Sequence, residues 1–158
     1  MKKILCLLLA AAMLCGLAAC SNAPATHSLA EIPVKSSYSI YLPNENVDGF
    51  DTETVNTDEI SAETVLSELK KHKVLPDGVA INSFNIDNGL VTIDFNQDFA
   101  DIVCSMGTSG ELMIVGSVVN TFIDAFQAES LYFTVDGDIL ESGHVVYDFE
   151  MTLFSPEQ

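Results

Sequence analysis

Asp94, Asp98 and Asp101 follow one another closely after an alternating apolar run, and Asp136 and Asp138 flank Gly137. Carboxylates grouped in this way can ligate Ca²⁺ or act as the acid and base of glycoside hydrolysis. The chain holds 23 Asp and Glu, so chance clusters are expected, and no EF-hand spacing orders them. Glu68 and His72 at i, i+4 have the spacing of a metal pair, but one such pair on an exposed helical face is ordinarily just solvated. Cys104, in VCSMG, needs a nearby histidine and a lowered pKa to be a nucleophile; its apolar surroundings suit a small buried hydrophobe instead. Gly107-Thr108-Ser109-Gly110-Glu111 resembles a phosphate loop without its lysine, and Thr108 with Glu111 reads better as a capping box. HExxH, GxSxG and ordered Ser/His/Asp patterns are missing, and with no Trp there is no indole platform for sugars. The expectation is a protein without catalytic residues, metal or cofactor.

The elements that must position these residues are clearest between Asn82 and Asn96. Asn88-Gly89 accepts positive φ at both central positions of a type I′ turn, which sets Asp87 opposite Leu90, Ile86 opposite Val91 and Phe84 opposite Ile93. Phe84, Ile86, Val91 and Ile93 then share one face, and Asn85, Thr92 and Asp94 the other, as solvent face or interaction surface. Upstream, Tyr38 to Leu42 reads as a strand, and Glu45 to Thr57 as an acidic loop with a brief strand at Thr54-Val55. Ser61 caps a helix running to His72, whose apolar stripe is Ala62, Val65, Leu66 and Leu69. Downstream, Gln97 to Met106 reads as a connection whose Phe99, Ile102 and Val103 cover an end of the core. A long helix from Ser109 to Gln127 places Leu112, Val115, Val118, Val119, Phe122 and Phe126 on one face. Leu131 to Val135, closed by Asp136-Gly137, and the alternating Val145 to Met151 finish the chain as strands. The order β-α-β-β-α-β-β predicts an α+β domain, with two helices on one face of a mostly antiparallel sheet.

The N-terminal stretch of the chain points to a location. Lys2 and Lys3 precede a short apolar run, the pattern of a secretory leader over residues 1–19, and the run falls short of the about 20 residues a membrane span needs. Leu17-Ala18-Ala19-Cys20 resembles the lipobox of bacterial lipoproteins, which implies acylation at Cys20 and a membrane-anchored, extracytoplasmic protein. Cys6 and Cys15 leave with the leader, so Cys104 stays alone in the domain and no intramolecular disulfide is available. Residues 20–37, with Pro24 and Pro33, form a tether, and residues 38–154 a single domain. The formal charge of −17 becomes more negative without Lys2 and Lys3, which excludes ordinary electrostatic binding to nucleic acid.

Five segments carry a family resemblance: SIYLPNENVDGF, AETVLSELKK, INSFNIDNGLVTIDFNQDF, SGELMIVGSVVNTF and LYFTVDGDILESGHVVYDF. In order and spacing they resemble the GerMN domain of sporulation and spore germination, across Tyr38 to Phe154. The resemblance implies a lipoprotein on the outer face of the cell membrane, held there by the lipid (palmitate) at Cys20. It implies an envelope protein as partner, leaves homo-oligomers open, and supplies no catalytic residues. The alternative is a small envelope glycan-binding protein or hydrolase using Asp94, Asp98 or Asp136.

Overall fold

The structure, a computed structural model, describes residues 37–155. The leader, Cys20 and nearly all of the tether lie outside the described residues. The elements run β1 (Ser37–Pro43), β2 (Phe50–Asn56), α1 (Ala62–Lys71), β3 (Ile81–Asp87), β4 (Leu90–Phe95), α2 (Gln97–Ser105), α3 (Thr108–Phe126) and β5 (Ser130–Val135). They form one two-stranded antiparallel sheet, β1-β2, and one three-stranded sheet in the order β3-β4-β5. The α+β class is as expected.

The hairpin β3-β4 has the predicted register: Asp87 faces Leu90, Ile86 faces Val91, Asn85 faces Thr92 and Phe84 faces Ile93. Asn88 (φ 49°) and Gly89 (φ 83°) hold the left-handed conformations a type I′ turn requires. α1 also follows its sequence signals. The Ser61 hydroxyl accepts from the Thr64 N–H, and Ala62, Val65, Leu66 and Leu69 are all buried.

Several elements differ from the expectation, each for a physical reason. The acidic loop contains a full strand, β2, because every residue from Phe50 to Asn56 finds a partner on β1. The connection after the hairpin is the helix α2, which buries Phe99, Ala100 and Val103 on one stripe. Asn96 precedes it without capping it, because its amide is spent on the segment before β3: Oδ1 accepts from the Ala80 N–H at 2.8 Å and Nδ2 donates to the Gly78 carbonyl at 2.9 Å. β4 and β5, joined through α2 and α3, pair in parallel, so the three-stranded sheet is mixed where a mostly antiparallel one was expected. The expected last strand is reduced to isolated bridges, Glu141 with Val146 and Met151 with Leu131, and Phe149 is exposed despite its alternation with Tyr147. Cys104 is exposed, not buried, on the outer side of α2.

α3 organises the rest. It touches both sheets and both other helices, and it is buried nearly all round instead of along one face. Two of its expected core residues, Leu112 and Phe126, are only partly covered. Toward the three-stranded sheet, Phe122 and Phe126 meet Phe84, with ring centroids 6.3 and 4.8 Å apart. A second aromatic series, Phe95, Phe99, Phe133 and Tyr147, ties β4, α2 and β5 to the chain after β5.

Candidate functional site

Within α3, Gly116, Ser117, Asn120, Thr121 and Asp124 recur at helical spacing in an otherwise apolar sequence. This polar seam faces β1 and the C-terminal tail. Ser39 and Tyr41 are alternate residues of β1, and their N–H groups donate to Asp124 Oδ1 (2.7 Å) and Thr121 Oγ1 (3.1 Å). Asn120 treats the tail as a strand would: Nδ2 donates to the Phe154 carbonyl at 2.9 Å, and Oδ1 accepts the Phe154 N–H at 2.6 Å. Gly116 is required for the same approach, because a Cβ there would lie 2.6 Å from Phe50 Cζ and 2.9 Å from a Phe154 ring carbon. Thus Asn120, Thr121 and Asp124 satisfy backbone groups of β1 and the tail, while the buried Ser117 hydroxyl has no hydrogen-bond partner among the described residues.

At the start of α3, Glu111 is 1% exposed. The cap of this helix is Gly107, not Thr108, so Glu111 does not close a capping box. Its carboxylate is held by three residues from beyond β5. The Ser142 hydroxyl donates to Oε1 at 2.5 Å, the Tyr147 hydroxyl donates to Oε1 at 2.7 Å, and His144 Nδ1 lies 3.0 Å from Oε2. Burial pushes the Tyr147 phenol far above its ordinary range, and the Glu111 carboxylate adds to the shift both as hydrogen-bond partner and as charge. The imidazole is 45% exposed beside a shallow cleft of about 460 Å³ lined by Glu141, Gly143, His144, Val145 and Val146.

Carboxylate, imidazole and hydroxyl meet here, but not as a nucleophile and its base. Ser142 bonds the carboxylate rather than the imidazole, and its oxygen accepts the N–H groups of His144 and Val145 at 3.2 and 3.1 Å. The geometry is that of a clamp holding the 138–147 segment to α3. Cys104 lies nearby, 3.9 Å from the Glu141 carbonyl. Desolvation raises its thiol pKa, and the negative charges of Glu111 and Asp101 raise it further, so it carries little of the thiolate a nucleophile needs. Nothing in the sequence linked Glu111 to residues 142–147; the one available signal was a glutamate placed in an apolar helix.

The carboxylates singled out by spacing serve different purposes. Asp94 accepts from Thr134 Oγ1 (2.6 Å), the Gly137 N–H (2.8 Å) and Asn82 Nδ2 (3.0 Å), and Asn82 also reaches Asp136 Oδ1 at 2.9 Å. The Thr134 hydrogen bond does most to hold the Asp94 carboxyl below its ordinary value; burial, next in size, opposes it, and the bonds from Gly137 and Asn82 lower it further. Asp94 and Asp136 therefore fix the turn after β5, in which Asp136 and Gly137 both have positive φ. Asp98 is not part of this group, Asp101 pairs with Gln97 at 2.9 Å, and none of the three candidate carboxylates Asp94, Asp98 and Asp136 lines a cleft described here. Among the described residues no three His, Cys, Asp or Glu side chains converge as a metal site would require. Glu68 makes a 2.9 Å ion pair with Lys71 and lies 3.7 Å from His72. Asn85 and Thr92 are cross-strand partners on the outer face of the sheet, with Asp94 on that face one pair along. No described helix is long and apolar enough to cross a membrane.

Fold and site define an α+β module in which catalytic residue types are committed to joining strands, tail and helix. The chain belongs to the Germane family, described as sporulation and spore germination, whose model matches residues 39–141. That match includes the hairpin and α3 and ends before the Ser142–Tyr147 half of the clamp. Among solved structures, the first GerMN domain of the sporulation protein GerM from Bacillus subtilis is similar to this chain. It is 20% identical, with 66% of this chain and 85% of that one covered, at a TM-score of 0.46. No curated protein matches the chain.

Proposed function

We propose that the protein is a lipid-anchored, extracytoplasmic module of the cell envelope. It serves sporulation, germination or cell-wall assembly by docking a partner protein, without catalysis of its own. Cys20 carries the lipid and the 20–37 tether holds the domain close to the outer face of the membrane. The observation behind this reading is the commitment of Glu111, Asp94, Asn120 and Thr121 to internal hydrogen bonds. What the module then offers to its surroundings is shape and strand edge, the means by which non-catalytic modules gain affinity. The family and the lipobox-like leader supply the setting.

Metabolic labelling with palmitate tests the anchor. The wild-type chain should be labelled and sediment with membranes, and Cys20→Ala should be unlabelled; a wild-type chain free in the medium would overturn the anchoring. Cross-linking in intact cells tests the docking, and recovery of the module without any covalent neighbour would count against it.

A further inference from the structure

The outer edges of the strands are treated unequally. β1 is sealed by Thr121 and Asp124, and β5 is bridged by Met151 through backbone bonds of 2.8 and 2.7 Å. β2 is open, but it is acidic and exposed on both faces, which is how natural sheets discourage pairing. β3 is open in a different way. The two-residue turn makes Asp87 and Leu90 a hydrogen-bonded pair, so Asn85 also faces β4, while Phe84 and Ile86 direct their N–H and C=O groups outward. Among the described residues no backbone partner meets them. Ile86 is 43% exposed although it lies on the core side of the strand. A groove of about 450 Å³ runs beside the start of β3, with Ile60, Ala62, Ile81, Phe84 and Phe126 among its walls.

The charge around this edge selects the occupant. Glu63 lines the groove, Asp58 and Glu59 immediately precede it, and Asp87 ends the strand. The described lysines, Lys70, Lys71 and Lys73, lie at the far end of α1. A second copy would bring the same acids against themselves in a chain of formal charge −17. We propose that the outer edge of β3 receives an extended, basic segment of a partner protein as a fourth strand, with apolar side chains alternating toward Ile86 and the groove, and Lys or Arg facing Asp87. This rests on the docking role above and gives it a surface and a ligand chemistry.

The probe is a synthetic peptide alternating Val and Lys, compared with its Val/Glu counterpart and a backbone N-methylated version, titrated against the full-length acylated protein in nanodiscs. The Val/Lys peptide should bind at least tenfold more tightly than either control and slow hydrogen exchange at the Phe84 and Ile86 amides. Ile86→Lys should weaken it about tenfold, with far-UV circular dichroism unchanged. Equal binding of the basic and acidic peptides, absence of protection at those amides, or protection already present without peptide would overturn the proposal. A dimer that dissociates in Ile86→Lys would replace it with self-pairing. A photoreactive residue placed at Ile86, Val47 or Val146 in cells separates the two levels. Adducts at Val47 or Val146 alone overturn the edge and keep the docking role, and adducts at none of the three remove both.

Discussion

α3 meets the two sheets by opposite means. Toward β3-β4-β5 it presents Phe122 and Phe126, which stack within 6.1 Å of each other and close over Phe84. Toward β1 it presents Gly116, Asn120, Thr121 and Asp124, and hydrogen bonds to strand and tail backbone join the packing of Phe50 and Phe154 on Gly116. Apolar contact is non-directional, so it holds the three-stranded sheet without engaging the edge of β3. Hydrogen bonds are directional and consume backbone groups, so the same helix closes the edge of β1. One edge is thereby used up in folding and the other is left for use.

Phe122→Ala should have the largest effect, since the side chain is fully buried between helix and sheet. A loss of about 3–5 kcal/mol is expected, read from urea unfolding. A midpoint equal to wild type would mean that the apolar face does not hold the sheet. Next comes the clamp at the start of the helix. Tyr147→Phe takes a donor from the buried Glu111 carboxylate and should cost about 1–3 kcal/mol near neutral pH. It should also change the alkaline limb. A phenol whose pKa is raised by folding contributes fully below its unfolded value of about 10, and loses that contribution as pH rises through the folded value. Wild-type stability should therefore fall above pH about 10, and the variant should fall less steeply. Tyr38, raised to about 12 by burial and then by the charge of Glu68, keeps the variant's fall from vanishing.

The polar face of α3 should respond more mildly than the apolar one. Asn120→Ala removes both bonds to Phe154 and should cost about 1–2 kcal/mol, with faster proteolysis of the tail as the specific readout. Unchanged tail proteolysis would show that Phe50 and Phe154, 6.0 Å apart, hold the tail by themselves. Asp94→Asn tests the turn after β5. A carboxyl held low stabilises the fold above its unfolded pKa, and that contribution is lost as pH falls through the folded value. The variant should thus unfold at neutral pH more readily than wild type, and lose less on acidification below pH about 4.

The parts legible in the sequence were those fixed by local chemistry. Asn88-Gly89 sets the register of the hairpin through backbone conformation alone, and Ser61 with the Ala62, Val65, Leu66, Leu69 stripe sets α1. What escaped depends on contacts distant in the chain. Glu111 and Tyr147 are separated by 36 positions, and Ser39 and Asp124 by 85. Asn96 has the side chain of a helix cap, yet its amide is drawn to Gly78 and Ala80, and α2, read as a connection, is a helix whose buried stripe is only Phe99, Ala100 and Val103. Val145 to Met151 alternate as a strand does, but the clamp at Glu111 and the lone bridge at Met151 divide that length between two different neighbours. Of the proposed outer surface, Asn85 and Thr92 lie where alternation placed them, while Asp94 is largely occupied in bracing the turn.

The smallest effect is expected where the two edges differ most. Ile86 faces the core side but is nearly half exposed, so Ile86→Lys forfeits little buried area and its ammonium can stay in water beside Asp87. Its stability should lie within about 0.5 kcal/mol of wild type, as for other surface positions. Thr121→Val, equivalent in size, should cost more, because it strands the Tyr41 N–H against an apolar side chain at the edge of β1. Parallel urea titrations of the two variants measure the difference between an edge used for folding and one left open. Should Ile86→Lys prove the more damaging of the pair, the outer edge of β3 would have to be sealed within the protein itself, and the asymmetry between the strands would disappear.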